Sequence, residues 1–321
     1  MTATEDAAVR AEAPPEEAAP IAAHGLHKTY GTRTVLDSVD LHVDPGQVVG
    51  LLGPNGAGKT TTVKSLLGMV HLDGGTATVL GRPVGDPAAR RTLGYLPEQF
   101  QYPGWLDGRQ VLQTHARLLG MDAGQRDAAI TEALRLVGLA GRGDDRVAGY
   151  SKGMQQRLGL ATAVLGRPKL VILDEPTSAL DPIGRREVRD LIRSLQERGT
   201  AVLLNSHLLG EVEQVCDRVV ILHKGRVVHS GSLAELATGA EVRVTLERLD
   251  EDALAVLQGF GTVTARDTST VLLSLDDVAS VPALAAALVS RGHGLQALVP
   301  LQRSLEDVFV DLVGPTTEEG R

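Results

Sequence analysis

The chain reads as an α/β protein in which a largely parallel sheet is covered on both faces by helices, with a helical insertion and a smaller α+β unit after it. Three observations carry this reading. Val48 to Leu52 is a continuous apolar run that leads into a glycine-rich loop and then a helical stretch, Thr60 to Leu67. Leu170 to Leu173 is a second such run, and the helix and strand patterns that alternate after it place parallel strands under helices. From about residue 240 the pattern restarts as short strands of period two interleaved with two helices.

Taken in order, residues 1 to about 20 are acidic and Pro/Ala-rich with no apolar core, so they read as a disordered leader rather than a signal or transit peptide. Ala22 to Pro54 consists of short apolar runs separated by turn residues, which are strands. Between about 100 and 165 the chain turns helical: Arg109 to Leu119, Asp127 to Val137 and Gln155 to Leu165 carry apolar residues at helical spacing, broken by Gly-rich links. After the Leu170 run come a helix at Arg185 to Arg198, a strand at Thr200 to Asn205, and a hairpin of Val219 to Leu222 and Arg226 to His229 around Lys224-Gly225. The first unit is therefore expected over 21–238 and an accessory unit over 239–321. In the latter the order βαββαβ, with a helix at Val278 to Ser290, matches a ferredoxin-like split domain. Ser304 and Asp307 form a capping-box pattern opening a last helix.

Composition narrows the function classes. With 32 Lys+Arg against 40 Asp+Glu the formal net charge is −8, which argues against a general nucleic-acid binder, whose affinity comes from a basic surface. A single cysteine, Cys216, excludes an internal disulfide and a Cys-based zinc site and fits a reducing compartment. The longest uncharged apolar stretch falls short of the roughly 18 residues of a spanning helix and contains Pro282.

The chemistry is concentrated in a few motifs. Gly53 to Thr60, GPNGAGKT, fits G-x-x-x-x-G-K-[ST] and lies between a strand and a helix, as a phosphate-binding loop requires. Glycines let the backbone wrap close to phosphates with its N–H groups inward, and the helix N-terminus adds a positive end. In this pattern Lys59 neutralises the β and γ phosphates, the Thr60 hydroxyl holds Mg²⁺, and Thr61 can bond phosphate. In LVILDEP, Asp174 and Glu175 stand at the C-terminal end of a buried strand, where ligands of parallel sheets collect. Asp174 would act on Mg²⁺ through its water shell, and Glu175 could polarise an attacking water as general base.

The segment YSKGMQQR, Tyr150 to Arg157, resembles the signature sequence of ATP-binding cassette (ABC) ATPases, and residues 22 to 235 carry the motifs of that family in order. The resemblance implies the phosphate-loop NTPase fold of that family and assigns Gly53, Pro54, Asn55, Gly56, Ala57, Gly58, Lys59, Thr60 and Thr61 to ATP. It also matches Ser178 to Asp181 with the D-loop, His207 with the switch histidine and Tyr30 with the aromatic that stacks on adenine. Ser151, Lys152, Gly153 and Met154 would face the γ-phosphate held by a second copy of the chain, through a helix N-terminus. The implied state is a head-to-tail dimer enclosing two ATP and hydrolysing it.

Two departures from the family pattern matter. The form YSKGM differs from LSGGQ at Tyr150, Lys152 and Met154 and resembles the branch serving type-2 ABC exporters. In GYLPEQF the usual Q-loop glutamine falls at Glu98 with Gln99 beside it, and either could face the metal. Tyr102 and Trp105, which follow in a chain with only 2% aromatic residues, could line a groove for a membrane subunit or pack the helical insertion. The resemblance thus implies an ATPase that sits on the cytoplasmic side of a membrane through a multi-span permease, working as an exporter. An ABC-type ATPase acting on soluble assembly machinery is the alternative.

Overall fold

The computed structural model of the chain describes residues 18–237, 241–301 and 304–314. The expected leader falls almost wholly outside these residues, as does the expected boundary at 238/239. Strands β1 (Ile21–Tyr30) and β2 (Arg33–Val43) precede β3 (Val48–Leu52) and α1 (Lys59–Leu66). Next come β4 (Gly74–Val79), β5 (Arg82–Pro83), the one-turn α2 (Pro87–Arg90) and β6 (Leu93–Leu96). The insertion consists of α3 (Gly108–Leu118), α4 (Ala123–Leu136) and α5 (Lys152–Val164). It is followed by β7 (Leu170–Asp174), α6 (Pro182–Glu197), β8 (Ala201–Asn205), α7 (Leu209–Val215), β9 (Arg218–His223), β10 (Arg226–Ser232) and α8 (Leu233–Ala237).

β10, β9, β3, β8, β7 and β6 form one sheet in that order, parallel except for the β9–β10 hairpin. Its three central strands are buried at every position, which is why they read as unbroken apolar runs. Period two still sorts their side chains. Val48, Val171 and Val202 face the helical insertion, whereas Val49, Ile172 and Leu203 face an antiparallel sheet of β2, β1, β4 and β5. Cys216 is buried in the former layer, where desolvation pushes its thiol up and leaves it protonated.

β6 brings α5 unusually close to the sheet. A Cβ built at Gly94 would lie 1.8 Å from the Ala163 carbonyl oxygen, so only glycine permits this contact. Gly94→Ala is therefore expected to push α5 off the sheet and cost about 1–3 kcal/mol, the usual penalty of overpacking, read as a lower urea midpoint at unchanged slope.

The remainder of the chain comprises β11 (Glu241–Leu246), α9 (Glu251–Gln258), β12 (Gly261–Arg266), β13 (Thr270–Leu275), α10 (Val281–Ser290), β14 (Leu295–Leu301) and α11 (Leu305–Val313). The four strands pair antiparallel in the order β12-β13-β11-β14 around a core of their own. This is the ferredoxin-like order that βαββαβ predicts. α10 starts three residues later than expected because Val278–Ser280 forms a 3₁₀ turn and Pro282 sits in the first helical turn, where its missing N–H costs nothing. The Ser304/Asp307 capping box is formed. α11 leaves the small sheet and lays Leu305, Phe309 and Val313 on the core beneath the insertion, beside α7 and α8, with the Leu305 N–H bonded to Glu213 Oε1 at 3.3 Å. No described helix is long and apolar enough to cross a membrane.

Candidate functional site

The strand order decides which motifs meet. β8 lies between β3 and β7, with Leu51 opposite Asn205 and Asn205 opposite Asp174, so the C-terminal ends of three adjacent strands open onto one place. β3 delivers the Gly53–Thr61 loop, β7 delivers Asp174 and Glu175, β8 delivers Asn205 to His207, and β6 delivers Glu98 from the far side of β7.

The loop after β3 has the backbone that only glycines allow. Gly53, Gly56 and Gly58 have φ of +150°, +77° and +111°, and a Cβ on Gly53 would lie 2.3 Å from the Leu222 carbonyl oxygen. Gly58 is also the N-cap of α1 and supplies no capping side chain, so the first-turn N–H groups are left to an external acceptor. Lys59 Nζ folds back on its own loop, donating to the carbonyls of Gly53 (2.5 Å) and Pro54 (3.2 Å). Burial pushes this ammonium below the ordinary lysine range, while the charges of Glu175, Asp174 and Glu98 act in the opposite sense. Such a desolvated cation, with neutral partners and acids nearby, fits an anion in the cradle.

Asp174 is buried, and Asn205 Nδ2 donates to its Oδ1 at 2.5 Å. Desolvation raises its carboxyl above the usual carboxylate range, with the Asn205 bond opposing and the Glu98 and Glu175 charges adding to the shift. The charge of Glu98 reaches both Asp174 and Lys59. Asn205 Oδ1 is buried without a partner. Thr60 lies exposed in the first turn of α1. A hydroxyl, an acid disfavoured in its ionised form and an orphaned carbonyl oxygen fit a hard divalent cation. No group of three His, Cys, Asp or Glu with metal-binding geometry occurs among the described residues, and Mg²⁺ sites take most of their oxygens from substrate phosphates and water.

Glu175 is held from several sides. Its φ is +51°, rare for a residue with a side chain and typical of positions that surrounding structure over-determines. Its N–H donates to the Asn205 carbonyl at 2.9 Å, and its own carbonyl accepts from Ser178 Oγ at 3.1 Å and Gln156 Nε2 at 3.3 Å. Its carboxylate accepts the His207 N–H at 3.0 Å and pairs with His207 Nδ1 at 2.7 Å. The carboxylate is 12% exposed and the imidazole 62%, so the histidine carries the buried acid out to solvent.

The remaining expected residues lie around this centre. Ser151 is the N-cap of α5, its Oγ accepting from the Met154 N–H at 3.2 Å, with Lys152 exposed and Gly153 half-buried. Asp181 caps α6 through Gly184 at 2.7 Å. Tyr30 ends β1 with its ring 50% exposed, and Lys28 Nζ sits 5.3 Å from the ring centroid while bonded to Asp73 Oδ1 at 2.9 Å. The two later aromatics part company: Tyr102 packs in the insertion with its hydroxyl 3.1 Å from Thr162 Oγ1, whereas Trp105 is 76% exposed. Asn205 and Gln156 are site residues that sequence reasoning did not single out.

The family described as "ABC transporter" matches residues 36–178. The chain is 38% identical to the uncharacterized ABC transporter ATP-binding protein YxlF of Bacillus subtilis, over 90% of this chain and 97% of that one. It is 36% identical to the Nod factor export ATP-binding protein I of Burkholderia thailandensis, over 92% and 97% of the two chains. Among solved structures, an ATP-binding subunit of an ABC transporter superposes with a TM-score of 0.63 at 32% identity, covering 67% of this chain and 91% of that one. A cassette solved as a dimer in a post-hydrolysis state with ADP and Pi shares the fold, with a TM-score of 0.61 at 22% identity over 66% of this chain and 98% of that one. Similarity to such subunits over at least 90% of its length, with a phosphate loop after β3 and an acid pair after β7, places this chain in the family of ABC transporter ATP-binding proteins.

Proposed function

We propose that the protein hydrolyses ATP as a head-to-tail dimer and drives a separate multi-span permease, in the export direction. The observation that carries this reading is the meeting of Lys59, Asp174, Glu175 and His207 at the ends of adjacent strands. Export is supported by the Nod factor export relative and by the YSKGM form of the signature. We take 21–238 as the nucleotide-binding unit and 239–321 as an accessory unit, and place the subunit on the cytoplasmic side of the membrane through its permease. Trp105, exposed on the segment that follows Glu98, is the side chain we assign to the permease groove.

In this mechanism Tyr30 stacks on adenine and the Gly53–Thr61 loop wraps the phosphates, with Lys59 leaving its loop carbonyls for the β and γ oxygens. Thr60, Asp174 through water, and Glu98 would hold Mg²⁺, which would supply positive charge against the phosphate oxygens. Glu175 takes a proton from the water whose oxygen attacks the γ-phosphorus as the bond to the ADP oxygen breaks. His207 fixes the direction of that carboxylate and reaches outward to the γ-phosphate. Ser151 and Gly153 of the second copy meet the γ-phosphate from the other side, with their flanking Lys152 and Met154, while Asp181 lies at the dimer contact. The energetic requirement is that ATP favours the closed dimer over the open one.

The test is affinity purification of the Glu175→Gln chain from its native membranes in mild detergent with Mg-ATP, with partners identified by mass spectrometry. Recovery of a multi-span protein is expected. Recovery of soluble partners alone would overturn the transporter reading in favour of an ATPase serving assembly machinery.

A further inference from the structure

Gln156 stands on α5 five residues after Ser151, is 5% exposed, and donates through Nε2 to two consecutive carbonyls, Glu175 at 3.3 Å and Pro176 at 3.0 Å. The peptide it grips belongs to the residue with φ +51°. Fixing the 175–176 carbonyls fixes ψ at Glu175, and hence the direction in which its carboxylate leaves the strand. The helix that carries the grip is anchored at its far end. α5 is seated on β6 through the Gly94–Ala163 approach, and a Cβ at Gly153 would lie 3.5 Å from Leu180 Cδ2, so the N-terminus of α5 runs close to the segment after Glu175.

In the composite dimer, on which this inference rests, a chain's Ser151 meets the nucleotide held by its partner while its Glu175 acts on the nucleotide it holds itself. One helix therefore touches the machinery of two sites. We propose that Gln156 is a positioning residue that transmits the engagement of Ser151 on one nucleotide to the geometry of Glu175 on the other. A shift of the N-terminal turns of α5 on closure is passed on through two hydrogen bonds from one buried amide, while the Gly94–Ala163 approach holds the far end of the helix on the sheet.

The test uses the full chain. Gln156→Met keeps the bulk and removes both donors. It is expected to bind a fluorescent ATP analogue as tightly as the parent and, in the Glu175→Gln background, to form the same Mg-ATP-dependent dimer. Its kcat is expected to fall about tenfold at unchanged KM, the scale of one hydrogen-bond contribution to the barrier, and its Hill coefficient for ATP to fall toward 1. Gln156→Glu, which presents acceptors where donors stood, is expected to fall as far and supplies the same readouts if the methionine variant does not fold. Retention of kcat and of the Hill coefficient overturns the inference alone, and so does loss of ATP binding or of dimerisation, which would mark a structural role. A Glu175→Gln chain that stays monomeric with Mg-ATP instead removes the composite-dimer reading beneath it.

Discussion

Replacing Glu175 by Gln is expected to lower ATP turnover by about 10²–10⁴-fold while leaving ATP binding intact and trapping a dimer. The amide keeps the size of the acid and can still accept the His207 N–H through its oxygen, so the loop between β8 and α7 keeps its anchor. It no longer takes a proton from water. The backbone at φ +51° is no worse for Gln than for Glu, so the change is confined to the side chain. Removing one negative charge from a cluster that also holds Asp174 and Glu98 lessens the repulsion a bound nucleotide meets, which favours retention of ATP. Phosphate release gives the rate, and light scattering with and without Mg-ATP gives the mass. A variant that turns over at the parental rate would remove Glu175 from the role of base; one that stays monomeric at high protein concentration with saturating Mg-ATP would remove the composite site.

What the sequence made legible follows from how local each signal is. The Gly53–Thr60 loop is encoded by consecutive residues whose backbone demands glycine, and the LVILDEP strand by its own apolar run. The accessory sheet was legible because β11 alternates strictly, with Val242, Val244 and Leu246 buried and the residues between them turned outward. β4 and β6 were not, and each has a physical reason. β4 is GGTATV, small and half-exposed, and β6 is LGYL, four residues whose glycine weakens the strand signal because it serves the contact with Ala163. Side-chain roles that depend on tertiary approach were likewise hidden. Asn205 reaches Asp174 across a strand pair, and Gln156 reaches the Glu175 carbonyl from another element. Tyr102 meets Phe100, His115 and Thr162 of α5 whereas Trp105 stays exposed, a difference that no spacing between 100 and 105 encodes. α11 looks from sequence like the end of the small unit, yet its apolar face belongs to the larger core.

Lys59→Ala is expected to act on affinity where Glu175→Gln acts on chemistry. On its own loop the ammonium is desolvated and bonded to two neutral carbonyls, an arrangement that contributes little to the fold. Facing phosphates, the same group makes charge-assisted bonds in a partly dry site, and it also offsets Asp174, Glu175 and Glu98, which otherwise repel the nucleotide. Its loss should cost about 3 kcal/mol of binding, roughly 100-fold in Kd. Linkage turns this into a thermal measurement. At an ATP concentration about 1,000 times the parental Kd, binding stabilises the parent by about 4.1 kcal/mol, and a 100-fold weaker site leaves about 1.4 kcal/mol. The variant should therefore melt close to the parent without nucleotide and lose most of the ATP-induced rise in Tm. An equal rise in both proteins would mean that the backbone cradle and helix N-terminus hold the phosphates without the lysine. A large drop in Tm without nucleotide would mean that the two carbonyl contacts are structural after all.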